Sequence, residues 1–269
     1  MQSSTQSTRS PRAFYRNGPD HRRGENVSFR DIVQRFYFYR IKIGRWVTAE
    51  EEQVSANLFY DALCDLQQIL AVPPAVISMN GEVALTFGSG GQLGASAHYQ
   101  PTGRILALTK NAGGGSLAHE WFHAFDHYIA NKLFPEIKKK NAFASSTWLQ
   151  RDDYHPHALN KLLHNAYRTL FLTAEGDAAN EFVSHCQAVD AANKSLYFSL
   201  PEELAARGFE KAIQTLPQKN HFLVSGCLKS ETALAGLYPA SALNAQLQKA
   251  WLRYFAALGN ALDRQSVLS

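Results

Sequence analysis

Between His119 and His127 the chain reads His-Glu-Trp-Phe-His-Ala-Phe-Asp-His. The first five residues form an HExxH motif: two imidazoles four residues apart, with a carboxylate directly after the first. Side chains four apart in a helix lie one turn apart on one face. His119 and His123 can therefore offer ring nitrogens to a single metal ion. Glu120 can reach a water bound to that metal as a general base. Asp126 stays on the same face and is expected to accept the second ring N–H of a ligand histidine, fixing its tautomer. Leu117, Ala118, Trp121, Phe122, Ala124, Phe125 and Ile129 embed this polar set in apolar surface. Ionisable groups buried there are costly unless paired or metal-bound, so the pattern favours a metal site, with zinc as the expected ion.

A catalytic zinc site takes three protein ligands and keeps one position open. No histidine follows at the HExxHxxGxxH spacing. A carboxylate on a distant helix is the expected third ligand. Pro201 suits the first position of a helix running through Glu210. On it Glu203, Arg207 and Glu210 fall at i, i+4 and i+7, one polar stripe on an otherwise apolar segment. Glu203 is the first candidate ligand. Arg207, Tyr197 and His98 are candidates to stabilise an oxyanion. Glu181, with His185 four residues on, is the rival ligand, and Glu202 and Glu210 stay open. A closed structural site with Asp126 or His127 as fourth ligand is the alternative to an open one.

The elements that must position these residues can be read in part. Residues 27–46 suit a short helix followed by a strand, with Phe36, Phe38 and Ile41 as core anchors. Thr48 and Glu51 form a capping box at the start of a long helix that ends before Pro73-Pro74. Ala75–Met79 and Val83–Phe87 are expected to form a hairpin about Asn80-Gly81, and Gly88 to Gly94 a flexible flap. Ala95–Gln100 and Arg104–Thr109 read as a second hairpin. His98 and Tyr99 on it are the expected substrate-side residues, because an edge strand beside a zinc helix can pair with an extended peptide. Glycines 113–115 then lead into Ser116, a candidate N-cap for the HExxH helix. Further helices are expected over residues 160–172, 177–192, 201–210 and 241–262.

With 45% hydrophobic and 12% aromatic residues the 269-residue chain can build a substantial core. No apolar run reaches the roughly 18 residues of a membrane span, and residues 1–12 lack a signal peptide's apolar stretch. Cys64, Cys186 and Cys227 read as buried thiols rather than a disulfide framework, and the cytoplasm is the expected location. Residues 1–45 carry ten Lys and Arg against three Asp and Glu, a net +7 that leaves −3 for the rest of the +4 chain. This basic arm is read as a solvated, disordered tail over residues 1–27, with nucleic acid as its alternative partner.

Several blocks together resemble a family of bacterial zincins. They are Phe36-Tyr37-Phe38-Tyr39-Arg40, Gly44-Arg45-Trp46-Val47, Ala84-Leu85-Thr86-Phe87-Gly88, Ala97-His98-Tyr99, Leu108-Thr109-Lys110, Gly115 to Trp121 and Glu203 to Glu210. The family occurs as large polyvalent protein-associated domain 1 in giant proteins of phages and conjugative elements, and as stand-alone chains of the CLCA_X type. The resemblance, spread over residues 27–238, implies a zincin-like fold and a predicted metallopeptidase activity. Its ExxAR block falls on Glu203 and Arg207 and favours Glu203 as third ligand. The HExxHxFD run is also similar to that of neprilysin-type peptidases, which implies an orienting role for Asp126. Those enzymes use an ExxxD pattern, and here Arg207 stands in the fourth place after Glu203. The expected fold class is therefore α+β. Residues 28–265 would form a zincin-like metallopeptidase domain with a small N-terminal mixed sheet and the active-site helix (28–131) and a mostly helical C-terminal lobe (157–265). Its expected substrate is a protein or peptide. A zincin scaffold without turnover, in a nucleic-acid-binding or mobile-element-associated protein, is the other functional reading.

Overall fold

Two capping boxes start the structure. Ser28 and Asp31 open α1 (Phe29–Phe36), and Thr48 and Glu51 open α2 (Ala49–Leu70), each hydroxyl accepting from the N3 amide while the carboxylate answers the N-cap N–H. The computed structural model describes residues 14–88, 97–108, 114–137, 139–151 and 153–268. Between α1 and α2 lies β1 (Ile41–Ile43). After α2 come α3 (Pro74–Ile77), β2 (Ala84–Phe87), β3 (Ala97–Gln100), β4 (Ile105–Leu108) and the HExxH helix α4 (Leu117–Leu133). The remainder is helical: α5 (Ala144–Trp148), α6 (Ala158–Phe171), α7 (Glu181–Asn193), α8 (Pro201–Gln214), α9 (Glu231–Leu234) and α10 (Ser241–Leu268). The architecture is mixed α+β, a small sheet with a mostly helical remainder.

The sheet runs β1-β2-β4-β3, with β1–β2 and β2–β4 parallel and β3–β4 antiparallel. Of the hairpin expected over 95–109, the described part forms, β3 pairing antiparallel with β4; residues 95, 96 and 109 lie outside the described residues. The hairpin over 75–87 does not form, because residues 74–77 are helical. Pro74 sits at a helix start, where its missing N–H costs nothing. Both sides of β2 are already taken by β1 and β4, which leaves no edge for residues 75–79 to pair with. The turn itself persists: Met79, Asn80 and Gly81 all have positive φ. The expected flap lies, beyond Gly88, outside the described residues.

Residues 14–27 correct the expectation of a disordered arm. Asp65 on α2 is fully buried. It accepts from Arg16 at 2.6 and 2.8 Å, bonds His21 at 2.9 Å, and accepts from Gln218 and Asn220 at 2.8 and 2.7 Å. Asn17 and His221 add backbone bonds between residues 15–17 and 219–221. The first half of the +7 charge is thus partly spent on a buried acid; residues 1–13 lie outside the described set.

One face of α4 carries the core. Trp121, Phe122 and Phe125 pack against Phe209 of α8 and Trp251 and Phe255 of α10, with ring centroids 4.7–5.7 Å apart. Apolar residues from both halves of the chain join one buried cluster. Among the described residues no helix is long and apolar enough to cross a membrane.

Candidate metal centre

Gly115 turns the chain into α4 with φ +113°, and a Cβ there would meet Ser225 Oγ at 1.9 Å, so only glycine fits. Ser116 holds the N-cap position without capping through its side chain. The segment 222–225 does that work instead: Ala118 N–H donates to the Leu223 carbonyl at 2.9 Å, and Gly115 pairs with Phe222 and Ser225. The start of α4 is thereby fixed against the C-terminal half of the chain.

α8 lies along α4, and the two helices bring His119, His123 and Glu203 together as a group able to hold a metal ion. The two histidine Nε2 atoms are 3.1 Å apart. Glu203 straddles them, Oε2 at 3.4 Å from His119 Nε2 and Oε1 at 3.3 Å from His123 Nε2. Ligands about 2.0–2.1 Å from a tetrahedral ion stand about 3.3 Å apart, and one ligand atom from each of the three residues lies within 4.8 Å of the others, so the group can close on a metal. Glu203 Oε2 is buried and has no hydrogen-bond donor among the described residues. A buried carboxylate oxygen left that way is costly unless a cation completes it, and the donor set of two imidazoles and one carboxylate is that of a zinc site with an open position. Burial pushes the Glu203 pKa up, but the two histidines outweigh it and hold the carboxyl well below its usual range.

Around the triangle, support comes from unexpected places. His119 Nδ1 bonds Glu210 Oε2 at 3.1 Å, and the Tyr238 hydroxyl donates to the same oxygen at 3.2 Å. Burial lowers the His119 pKa, while the neighbouring Glu203 and Glu210 carboxylates raise it to about 10. Glu210 is therefore the carboxylate that orients His119, and it stands outside the group of candidate ligands. Its signal in the sequence was the i, i+7 stripe with Glu203, two turns of one helix facing the same neighbour.

Asp126 does not take the role expected of it. It is fully buried and accepts from Ser145 N–H at 2.9 Å, Ser145 Oγ at 2.5 Å and the Tyr167 hydroxyl at 2.6 Å. Burial pushes its pKa up to about 6 despite those bonds. His123 Nδ1 has no hydrogen-bond partner among the described residues. His127 is likewise committed elsewhere, Nδ1 to the Tyr99 hydroxyl at 2.8 Å and Nε2 to the Lys140 carbonyl at 3.1 Å. Neither supplies a fourth ligand.

Arg207 also departs from expectation. Its guanidinium is buried and donates to the Leu237 carbonyl at 2.7 Å, to the Phe198 carbonyl and to the Glu203 carbonyl one turn back at 3.2 Å. It is a clamp between α8 and two loops rather than an oxyanion donor. Asp190 reinforces one of those loops, accepting the N–H groups of Tyr197, Phe198 and Ser199 at 2.7–3.1 Å. The clamped loop sets Tyr197 beside Glu203 and within electrostatic range of Glu120; partial burial and those carboxylates push its phenol pKa up, keeping it a proton donor at neutral pH.

The remaining candidates separate. Tyr99 meets the site through its backbone: its N–H donates to Glu120 Oε2 at 2.6 Å. His98, the next residue back on β3, points to the opposite face of the sheet and lines a cavity with Arg40, Lys42 and Thr86. Glu181 is exposed in the first turn of α7 and outside the triangle, and His185 bonds the Ala235 carbonyl. Glu202 accepts from Ser146 at 2.5 Å.

A profile described as large polyvalent protein-associated domain 1 matches residues 189–262. The resemblance over residues 27–238 is thus carried by that profile only in its last part. The match contains the Asp190 and Arg207 clamp, Glu203, Glu210 and Tyr238, but not His119, Glu120 or His123. No curated protein and no solved structure matches the chain.

Proposed function

We propose that the chain is a zinc-dependent metallopeptidase with a zincin-like active site. The observation that carries this reading is the His119–His123–Glu203 group: the two Nε2 atoms are 3.1 Å apart, a different Glu203 oxygen lies 3.3–3.4 Å from each, and the buried Oε2 makes no hydrogen bond among the described residues. Zinc bound there supplies Lewis acidity toward a peptide carbonyl and lowers the pKa of the water in its open position. Glu120 follows the first ligand on α4 and takes the proton of the attacking water, then returns it to the leaving amine nitrogen. The Tyr99 N–H holds the Glu120 carboxylate in place. Tyr197, whose phenol interacts with Glu203, is our candidate donor to the developing oxyanion. β3 is an edge strand of the described sheet, and an extended protein or peptide substrate pairs along it.

The test is metal content and proteolysis of the purified chain and of Glu120→Gln. Wild type should hold one zinc and cleave unfolded protein substrates. Glu120→Gln should keep the zinc and lose about 10²–10⁴-fold in turnover. A wild type that binds no zinc when reconstituted, or a Glu120→Gln enzyme as active as wild type, rejects the proposal.

A further inference from the structure

The segment Tyr37 to Trp46 divides its side chains in a way that the peptidase reading leaves unused. Phe36 and Phe38 go into the core. Tyr37, Tyr39 and Trp46 do not: they are 61%, 73% and 55% exposed. Arg40, Lys42 and Arg45 between them are also exposed. Among the described residues none of these three cations is in an ion pair with a carboxylate, and Arg40 instead lies 5.9 Å from the Tyr39 ring centroid. No acidic residue occurs between Tyr37 and Trp46.

β1 lies at the edge of the described sheet opposite β3. From it a row crosses the sheet at one level: Lys42 pairs with Thr86, Thr86 with Ala107 and Ala107 with His98. Side chains alternate between the faces of a strand. Leu85, Phe87, Leu106 and Leu108 enter the core, so Lys42, Thr86 and His98 share the outer face. There Arg40, Lys42, His98 and Gln100 line a cavity of about 510 Å³. His98 Nδ1 is buried with no hydrogen-bond partner among the described residues.

We infer that this outer sheet face and the β1 edge bind a single-stranded nucleic acid. Exposed rings interleaved with cations match a chain whose bases stack and whose phosphates are charged. An acidic peptide would use the cations and leave the rings idle. The site is separate from the metal triangle, and its occupancy does not depend on peptidase activity.

The test uses the full chain and fluorescence anisotropy with labelled oligothymidylate and oligouridylate of about 16 nucleotides. Binding should weaken steeply with salt, and comparison of the two oligonucleotides identifies DNA or RNA as the preferred strand. Arg40→Ala/Lys42→Ala should flatten the log–log salt slope by about 1.4, the value for two lost phosphate contacts on a single strand. Tyr39→Ala should weaken binding about 5- to 100-fold, and Tyr39→Phe, which keeps the ring, should restore it. These side chains are exposed, so unchanged thermal melting of the variants checks the fold. Absence of binding at low salt overturns the inference. So does wild-type binding by Tyr39→Ala, or equal displacement of the oligonucleotide by polyglutamate.

Discussion

The two histidines of the HExxH helix lie one turn apart, and the chain supports them by opposite means. On the His119 side, Nδ1 is held by Glu210, 91 residues away, which Tyr238 holds in turn. On the His123 side the next carboxylate along the chain, Asp126, is turned away to Ser145 and Tyr167, and Nδ1 has no partner among the described residues. Proximity along the chain failed to predict the support because α5 and α6 compete for the same carboxylate with three good donors. A buried acceptor goes where its bonds are best satisfied, and an imidazole N–H was the weaker offer. Rigidity therefore enters the candidate metal site from α8, which supplies both the straddling Glu203 and the orienting Glu210.

This asymmetry can be broken by substitution. Glu203→Ala removes the group common to both sides and should lower zinc affinity by at least about 100-fold, measured by chelator competition. Glu210→Gln should cost about 10- to 100-fold, since an amide replaces the charged acceptor on His119 Nδ1. The pH dependence should sharpen the contrast. Metal-free His119 has its pKa raised to about 10, so zinc must displace a proton below that pH, and apparent affinity should rise up to about tenfold per unit between pH 7 and 9. Glu210→Gln, by lowering the His119 pKa, should make that rise level off at lower pH. Asp126→Asn should have the smallest effect on zinc, leaving affinity near wild type. It should instead lower stability by about 1–3 kcal/mol in denaturant melts, because an amide N–H₂ faces donors in place of an acceptor. A large loss of zinc affinity in Asp126→Asn with unchanged stability would reverse the assignment of the two sides.

What could be read from the sequence was what depends on neighbours in sequence. The Thr48–Glu51 capping box, Pro201 at a helix start and the 97–108 hairpin are local chemistry, and each forms. The His119–His123 pair needs only helical spacing, and Glu203, which the structure sets beside them, lay on a periodic stripe that the ExxAR resemblance also marked. Residues 75–79 were misread because strand or helix there depends on whether β2 has a free edge, a fact of pairing with β1 and β4. Arg207 was misread for a similar reason. A buried guanidinium between two carboxylates suggests chemistry, but the Phe198 and Leu237 carbonyls that claim it come from loops the sequence does not place.

The Arg16–Asp65 pair sets where this chain can be cut. A shortened protein starting at residue 28 would keep Asp65 buried against Gln218 and Asn220 but strip it of Arg16 and His21. Leaving a buried charge without its counterion costs about 3–5 kcal/mol, a large share of what holds an ordinary domain folded. Poor yield or precipitation of such a truncation would then report a missing clasp, not a lost polyanion site. A start at residue 14 keeps both Arg16 and His21 on Asp65 and so retains the clasp.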